Sequence, residues 1–183
     1  LGKQPMPFDL LYWNSDTTRM PQKLHLSYLR ECYQKNALAR GEMKLAGVKL
    51  NLSKVKVPVY FQSAREDHIA PAASVLRGAR LFGGPLRFIV AGSGHIAGVI
   101  NPPSKNRRHY WAESQGAAAQ PLPGDPEAWF EQAERQAGSW WPDWAAWLAG
   151  HSGALGRPPA RLGNKRHAPI EEAPGRYVKV RAV

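Results

Sequence analysis

The chain has 183 residues, 43% of them hydrophobic and 10% aromatic, so it can bury a core and is not a disordered chain. Its formal net charge of +11 indicates an anionic partner (a nucleic acid, a phosphorylated cofactor or an anionic surface) or a charge that only serves solubility. The single cysteine, Cys32, excludes an intrachain disulfide and favours a reducing compartment. The sequence contains no run of about 18 apolar residues, so no membrane span is predicted.

The first 50 residues are predicted to hold one helix and one hairpin. The chain opens on LGKQPMPFDL, which has neither an initiator methionine nor a signal peptide, so we expect an earlier part of a longer chain to be missing. Pro21 suits the first turn of a helix, apolar residues recur at helical spacing from Leu24, and Gly41 is predicted to end this helix. A glycine between two short apolar runs in MKLAGVKLNL predicts a small hairpin.

The middle of the chain is predicted to form a strand, a helix and a second strand, with a polar loop after each strand. Residues 55–63, VKVPVYFQS, predict a buried strand with Pro58 near its start, Pro71 opens a helix over 72–81, and LRFIVA over 86–91 predicts the second buried strand. This order predicts a βαβ unit in an α/β fold with a mostly parallel sheet. Open α/β sheets build their sites at the carboxyl ends of the strands.

The last third of the chain is predicted to hold a loop, two helices and a tail. Residues 114–124 are typical of a flexible surface loop, and DPEAWFEQAERQ predicts a helix that begins with Asp125 as N-cap and Pro126 in first position. Trp140, Trp144 and Trp147 share one face of a short helix, where core packing is their first interpretation. From residue 151 onwards, seven Lys/Arg stand against two Glu among Pro and Gly, which predicts a basic, extended surface tail.

Asp67 and His95 are the candidate catalytic residues. Each follows a predicted strand, and adjacent parallel strands would bring the two loops together, so we expect the side chains within one hydrogen bond or one water of each other. A carboxylate beside an imidazole fixes its tautomer and stabilises the imidazolium, and the order Asp then His matches the last two members of an α/β-hydrolase triad. The alternative is that both are ordinary loop residues. His68 is the less favoured histidine because a sequence neighbour of Asp67 usually points elsewhere.

No nucleophile is predicted within the chain. The sequence contains neither G-x-S-x-G nor G-x-C-x-G, the tight turns that carry the nucleophile in α/β-hydrolases. Cys32 lies on a predicted helix and is interpreted as a small buried hydrophobic residue. The chain therefore carries the predicted acid and base but not the nucleophile.

Several segments, taken in order, resemble the C-terminal part of the class I poly(R)-hydroxyalkanoate synthases. The resemblance runs from about residue 7 to residue 180, and the two most specific segments contain Asp67 and His95. The segments are FDLLYWNSDTTRMP, YLR, VPVYFQSAREDHIAP, GPLRFIVAGSGHIAGVINPP, GSWWPDWAAWL and APGRYVK.

The resemblance implies the C-terminal portion of an α/β-hydrolase fold, with residues 1–50 in a cap region, 51–150 in the catalytic core and 151–183 in the basic tail. It implies that Asp67 and His95 are catalytic, that an upstream cysteine is the nucleophile, and that Gly92 and Gly94 let the backbone turn so that His95 points at that nucleophile. The substrate would be an (R)-3-hydroxyacyl-CoA with a short acyl chain and the product a polyester stored as granules. The CoA moiety is anionic, which suits the basic excess.

The same resemblance implies a cytoplasmic, granule-associated homodimer that uses no cofactor or metal and binds no nucleic acid. It leaves open whether Asp67 orients His95 or acts as the base toward the hydroxyl group that attacks the acyl-enzyme. Two other functions also stay open: an esterase or depolymerase of the same fold with an upstream serine, and a granule-binding module without catalysis. The residue at the upstream turn would distinguish all three.

Overall fold

A computed structural model describes residues 13–14, 19–113 and 122–180. The chain divides into two compact units, one of Leu1–Leu29 with Ala154–Val183 and the other of Arg30–Gly153. The predicted division into a cap region, a core and a tail remains a prediction. In the described part of the chain, no helix is both long and apolar enough to cross a membrane.

Among its described residues, the first unit holds a helix after Pro21 and an irregular, exposed C-terminal segment. Helix α1 spans Gln22–Tyr28 and follows Pro21, as predicted. The irregular segment runs from Ala154 to a short 3-10 helix at Arg176–Lys179.

The predicted helix ends earlier than Gly41. A π-helical segment, Leu29–Gln34, continues from α1, and Asn36 then takes a positive φ of 50°. Asparagine tolerates this left-handed conformation, which ends a helix as glycine does. The prediction of a helix as far as Gly41 is therefore wrong, because the sequence pattern did not account for Asn36.

The predicted hairpin is confirmed. Strands β1, Lys44–Leu45, and β2, Val48–Lys49, pair in antiparallel orientation. The connecting residues Ala46 and Gly47 both have positive φ, 47° and 80°, as a two-residue turn of type I′ requires.

The predicted βαβ unit is also confirmed. Strand β3 spans Val59–Ala64, helix α2 spans Ala72–Ala79 and strand β4 spans Leu86–Ala91. The two strands are parallel neighbours over their whole length, with Val59 opposite Leu86 and Ala64 opposite Ala91. Their carboxyl ends therefore lie at the same level of the sheet.

The sheet is mixed, so the prediction of a mostly parallel sheet is wrong for the described residues. Strand β5 spans His109–Ala112 and strand β6 spans Glu134–Ala137, and the order β3-β4-β5-β6 contains two antiparallel pairings and one parallel pairing. The only helical segment between β4 and β5 is a short 3-10 helix, Pro103–Lys105. Without a crossover helix, the chain returns beside β4 in the opposite direction. The fold class itself, α/β, is as predicted.

Helix α3 spans Pro126–Gln132 and begins after Asp125 as predicted, although the Asp125 side chain makes no capping hydrogen bond. The residues after it were predicted to continue the helix, and this is wrong. Ala133 has an extended backbone, and β6 starts at Glu134 because β5 offers its open edge there. Helix α4 spans Trp141–His151, with Pro142 in its first turn.

Both faces of the sheet are covered. Along β4, Phe88 and Val90 pack on one face with residues of α2 and α3, whereas Ile89 and Ala91 pack on the other face with Trp140. The first cluster also contains Leu122, which is 7% exposed, so the predicted surface loop is wrong at this residue. Residues 114–121 of that loop lie outside the described residues.

The tryptophans near α4 differ in their surroundings. Trp140 is buried and Trp147 is half-buried, and both rings contact the Tyr60 ring at centroid distances of 6.2 and 5.5 Å. Trp144 is 40% exposed. Core packing therefore describes Trp140 and Trp147 well, and describes Trp144 poorly.

A buried ion pair anchors α4 to the sheet. Asp143, in the first turn of α4, accepts two N–H groups from Arg87 of β4 and, at 2.8 Å, the hydroxyl of Tyr60 of β3. The side chains of Arg87 and Asp143 are 17% and 4% exposed. The pKa of Tyr60 is raised strongly by burial and by its bond to the Asp143 carboxylate, and the pKa of Arg87 is raised by its hydrogen bonds to Asp143. These groups determine where α4, and Trp140 before it, lies on the sheet.

Candidate active site

Backbone hydrogen bonds join the loops that follow β3 and β4. The Arg65 N–H donates to the Ala91 carbonyl at 2.9 Å, and the Glu66 N–H donates to the Ser93 carbonyl at 3.0 Å. These bonds continue the contact between the two strands beyond their last paired residues. The residues that follow, Asp67 and His95, are thereby held at one edge of the sheet.

Asp67 and His95 form a direct pair. The Asp67 Oδ2 atom lies 2.7 Å from His95 Nδ1, which confirms the predicted proximity. The other carboxylate oxygen of Asp67 accepts the backbone N–H groups of Ile69 at 2.9 Å and Ala70 at 2.8 Å. The Asp67 side chain is only 7% exposed, whereas that of His95 is 45% exposed.

The carboxylate of Asp67 is held in its ionised form. Burial alone would raise its pKa, but the hydrogen bonds from Ala70, from His95 and from Ile69, and the charge on His95 when it is protonated, outweigh burial, so the pKa lies below its ordinary value. Asp67 therefore stays ionised and accepts hydrogen bonds throughout the neutral range.

This pairing determines the tautomer of His95. An ionised carboxylate has no proton to give, so Nδ1 of His95 carries the proton and its N–H donates a hydrogen bond to Asp67. In the neutral ring, Nε2 is then the unprotonated nitrogen, and it has no hydrogen-bond partner in the part of the chain that the structure describes. An exposed imidazole with a free Nε2 can take a proton from a group that approaches it.

The glycines near His95 act differently from the sequence expectation. The left-handed residue of the turn is Ser93, with a φ of 88°, and neither Gly92 nor Gly94 has positive φ. A Cβ atom on Gly92 would lie 2.9–3.1 Å from atoms of His109, but one on Gly94 would meet nothing nearer than 3.7 Å. Gly92 is thus required by the close approach of β5, and the prediction that Gly94 allows a tight turn is wrong.

Gly98 was missed by sequence reasoning. A Cβ atom there would lie 3.0 Å from the Ala64 side chain and 3.0 and 3.2 Å from the carbonyl oxygens of Gly94 and Gly92. The segment that carries His95 therefore packs its backbone directly on the end of β3. The only signal in the sequence was the glycine itself.

The other residues singled out from the sequence lie outside this pair. His68 is exposed, and the hydrogen bonds of Asp67 go to His95, Ile69 and Ala70 instead. Cys32 is free and half-buried in the π-helical segment. Among the described residues no hydroxyl or thiol hydrogen-bonds to His95, and no group of three or more His, Cys, Asp and Glu could hold a metal ion.

A carboxylate–histidine pair at the carboxyl edge of an α/β sheet is typical of α/β enzymes that activate a nucleophile by proton transfer. No protein-family model matches the chain. Several curated poly(3-hydroxyalkanoate) polymerases match it along nearly its whole length.

The identities to these relatives are high. The chain is 51% identical to the poly(3-hydroxyalkanoate) polymerase subunit PhaC of Rhizobium meliloti, with 99% of this chain and 28% of the relative aligned. It is 46% identical to subunit PhaC of Cupriavidus necator and 48% identical to the polymerase of Methylorubrum extorquens, again over 99% of this chain and over 30% and 29% of those proteins.

These identities confirm the resemblance seen in the sequence. The chain is related to the C-terminal part of the poly(3-hydroxyalkanoate) polymerases. It spans less than a third of the length of these relatives.

Proposed function

We propose that this chain is the C-terminal catalytic segment of a synthase that polymerises (R)-3-hydroxyacyl-CoA into polyester and releases CoA. The observation that carries the proposal is the 2.7 Å pair of Asp67 and His95 in a chain related to polymerases along 99% of its length. Within this proposal, His95 is the acid–base catalyst, Asp67 orients it, and the nucleophile is a cysteine thiol in the part of the synthase that precedes this chain.

In the first step His95 would activate the thiol. Its Nε2 atom takes the thiol proton, and the thiolate attacks the carbonyl carbon of the thioester. The bond between that carbon and the CoA sulfur then breaks, the sulfur leaves with the electron pair, and His95 returns the proton to it. The products are an acyl-enzyme and free CoA.

In the second step a 3-hydroxyl group would attack the acyl-enzyme. The hydroxyl proton moves to Nε2 of His95, the oxygen bonds to the acyl carbon, and the enzyme thiolate leaves. The structure favours His95 over Asp67 as the base here. Both oxygens of Asp67 accept N–H groups, its side chain is 7% exposed, and its lowered pKa makes it a weak base.

The remaining parts of the proposal follow from the relatives and from charge. The substrate class and the polyester product follow from the polymerase names of the relatives. The formal net charge of +11 would favour the anionic CoA moiety over a neutral ligand. The α/β-hydrolase fold, the cap region of residues 1–50, the granule surface, the cytoplasm and a homodimer belong to the same proposal, and the reaction needs no cofactor.

The test uses the full-length synthase that contains this chain, with His95→Ala compared with His68→Ala. His68 is an exposed histidine 27 positions earlier and lies outside the pair, so it controls for loss of an imidazole at this edge of the sheet. CoA release and polymer formation are measured from (R)-3-hydroxybutyryl-CoA. The wild type and His68→Ala are expected to release CoA and form polymer, and His95→Ala is expected to do neither at a measurable rate.

Three results would contradict the proposal. Release of CoA by the wild type with free hydroxy acid and no polymer would identify a hydrolase instead. Granule binding by the wild type without any CoA release would identify a binding module. Equal activity of His95→Ala and the wild type would remove His95 from the mechanism.

A further inference from the structure

His95 lies at the start of a single hydrogen-bonded turn. The Gly98 N–H donates to the Gly94 carbonyl at 2.8 Å, and the Ile100 N–H donates to the Ile96 carbonyl at 2.9 Å. At the far end of this turn, the Gly98 carbonyl accepts no backbone N–H in the described structure, and the Val99 carbonyl accepts one, from Asn101 at 3.1 Å. The end of the turn therefore depends on side-chain donors for its position.

Two indole N–H groups supply those donors. Trp140 Nε1 lies 3.2 Å from the carbonyl oxygens of both Gly98 and Val99, and Trp141 Nε1 lies 3.0 Å from that of Val99. The tryptophans are 41 or 42 positions away in sequence from the carbonyl groups that they contact, and they come from the start of α4. Asp67 contacts His95 at the start of the turn, and the two tryptophans hold its far end at Gly98 and Val99.

Trp140 is itself fixed by the core. It is 9% exposed, packs with Ile89, Ala91 and Ala112, and contacts the Tyr60 ring. The buried bonds of Asp143, three residues later, hold the same end of α4 against β3 and β4. An indole in such a site has little freedom, so its N–H sets where the carbonyls of the turn can lie.

We propose that Trp140 and Trp141 are positioning residues for His95. Their indole N–H groups fix the far end of the turn, and this keeps the His95 ring in register with the Asp67 carboxylate. The catalytic consequence rests on the proposed function, since His95 is the acid–base group there. The structural consequence, a turn held in place by two indoles, stands on the contacts alone.

The test removes the indole N–H donors, in the full-length synthase. Trp140→Phe and Trp141→Phe each keep an aromatic ring and lose the N–H. Trp144→Phe is the matched control, because Trp144 is a partly exposed tryptophan of the same helix whose indole makes no hydrogen bond in the described structure. Trp141 is 37% exposed, so Trp141→Phe tests the idea with little disturbance of the core.

Two readouts are measured. Amide hydrogen exchange of a peptide covering residues 94–101 reports the turn itself and does not depend on activity. Loss of one such hydrogen bond is expected to speed this exchange by about tenfold in Trp140→Phe and in Trp141→Phe, with no change in Trp144→Phe. CoA release is expected to show kcat lowered by about 10- to 100-fold with KM unchanged, because a displaced catalytic group impairs chemistry and not binding.

The two readouts distinguish a failure of the positioning role from a failure of the proposed function. Unchanged exchange in both tryptophan variants would overturn the positioning role whatever the activity. Faster exchange with an unchanged kcat would overturn its catalytic consequence and leave the proposed function intact. A wild type that forms no polymer would overturn the proposed function, and the exchange readout would still decide whether the indoles hold the turn.

Discussion

Asp67→Asn is the most informative single change because it keeps the shape of the side chain and reverses one hydrogen bond. The backbone N–H groups of Ile69 and Ala70 both donate to one oxygen of Asp67, and the amide oxygen of Asn can replace that oxygen. The amide NH₂ then occupies the place of the second oxygen, 2.7 Å from His95 Nδ1. Because NH₂ is a donor, Nδ1 must become the acceptor, and the proton moves to Nε2.

The expected loss has two parts. A hydrogen bond to a charged group contributes about 1.5–3 kcal/mol, so loss of the charge-assisted bond alone corresponds to a rate reduction of roughly 10- to 150-fold. The reversed tautomer also leaves no free nitrogen to take a proton. The same change in a serine protease triad costs on the order of 10⁴ in kcat, and we expect a similar total here.

The assay is a single turnover of the full-length synthase that follows CoA release and polymer formation separately. If Asp67 orients His95, both phases slow together by this factor. Glu66→Gln is the matched control, because Glu66 is an exposed neighbouring carboxylate outside the Asp67–His95 pair, and it should leave both phases near the wild-type rates.

Two outcomes would refute this reasoning. Wild-type rates in both phases for Asp67→Asn would remove Asp67 from the mechanism. A normal first release of CoA followed by stalled elongation and accumulated acyl-enzyme would make Asp67 the base for the attacking hydroxyl, against the role that its hydrogen bonds support.

Three further predictions concern the support of the site. Gly98→Ala should lower the rate of CoA release, because its Cβ would lie 3.0 Å from backbone and side-chain atoms and the segment that carries His95 would have to shift. Gly94→Ala, with 3.7 Å of room, should keep near-wild-type CoA release, and equal activity of the two variants would contradict this. Asp143→Ala should lower the free energy of unfolding, measured by urea titration, by about 3–5 kcal/mol, because it leaves the buried charge of Arg87 without its carboxylate partner. The double variant Arg87→Met with Asp143→Leu should lose less of this free energy than Asp143→Ala does. The pKa of Asp67 in the folded state lies below its unfolded value of 3.8, so the stability that its ionised form contributes is complete above pH 3.8 and is lost as the pH falls through the folded-state pKa. The urea midpoints of the wild type and Asp67→Asn should therefore converge below pH 3.8. A difference between the midpoints that stays constant with pH would contradict this prediction.

The sequence by itself determined the βαβ unit and the meeting of Asp67 with His95. Strands β3 and β4 show as apolar runs bounded by proline and glycine, which are local signals. Once two strands joined by a helix lie side by side in parallel, the loops after them must share one edge. That topology predicts that Asp67 and His95 lie close together, but it does not predict the distance of 2.7 Å between them.

Local sequence signals did not predict which strands pair in the second half of the sheet. Glu134–Ala137 follows a helix in sequence and continues its polar pattern, yet it forms β6 because β5 has an open edge. The antiparallel return of β5 likewise depends on the chain between it and β4 containing no crossover helix. A residue's own propensity does not predict which strand will be beside it.

Only the tertiary structure decided which residues hold the site in place. Asp143 meets Arg87 and Tyr60 across 56 and 83 positions, and the indoles of Trp140 and Trp141 meet the turn of His95 across 41 to 42 positions. In the sequence the tryptophans show only as apolar residues at helical spacing, and their N–H groups carry no signal of what they will contact. The physical reason is that a buried donor takes the acceptor that packing brings to it, and packing depends on the whole chain.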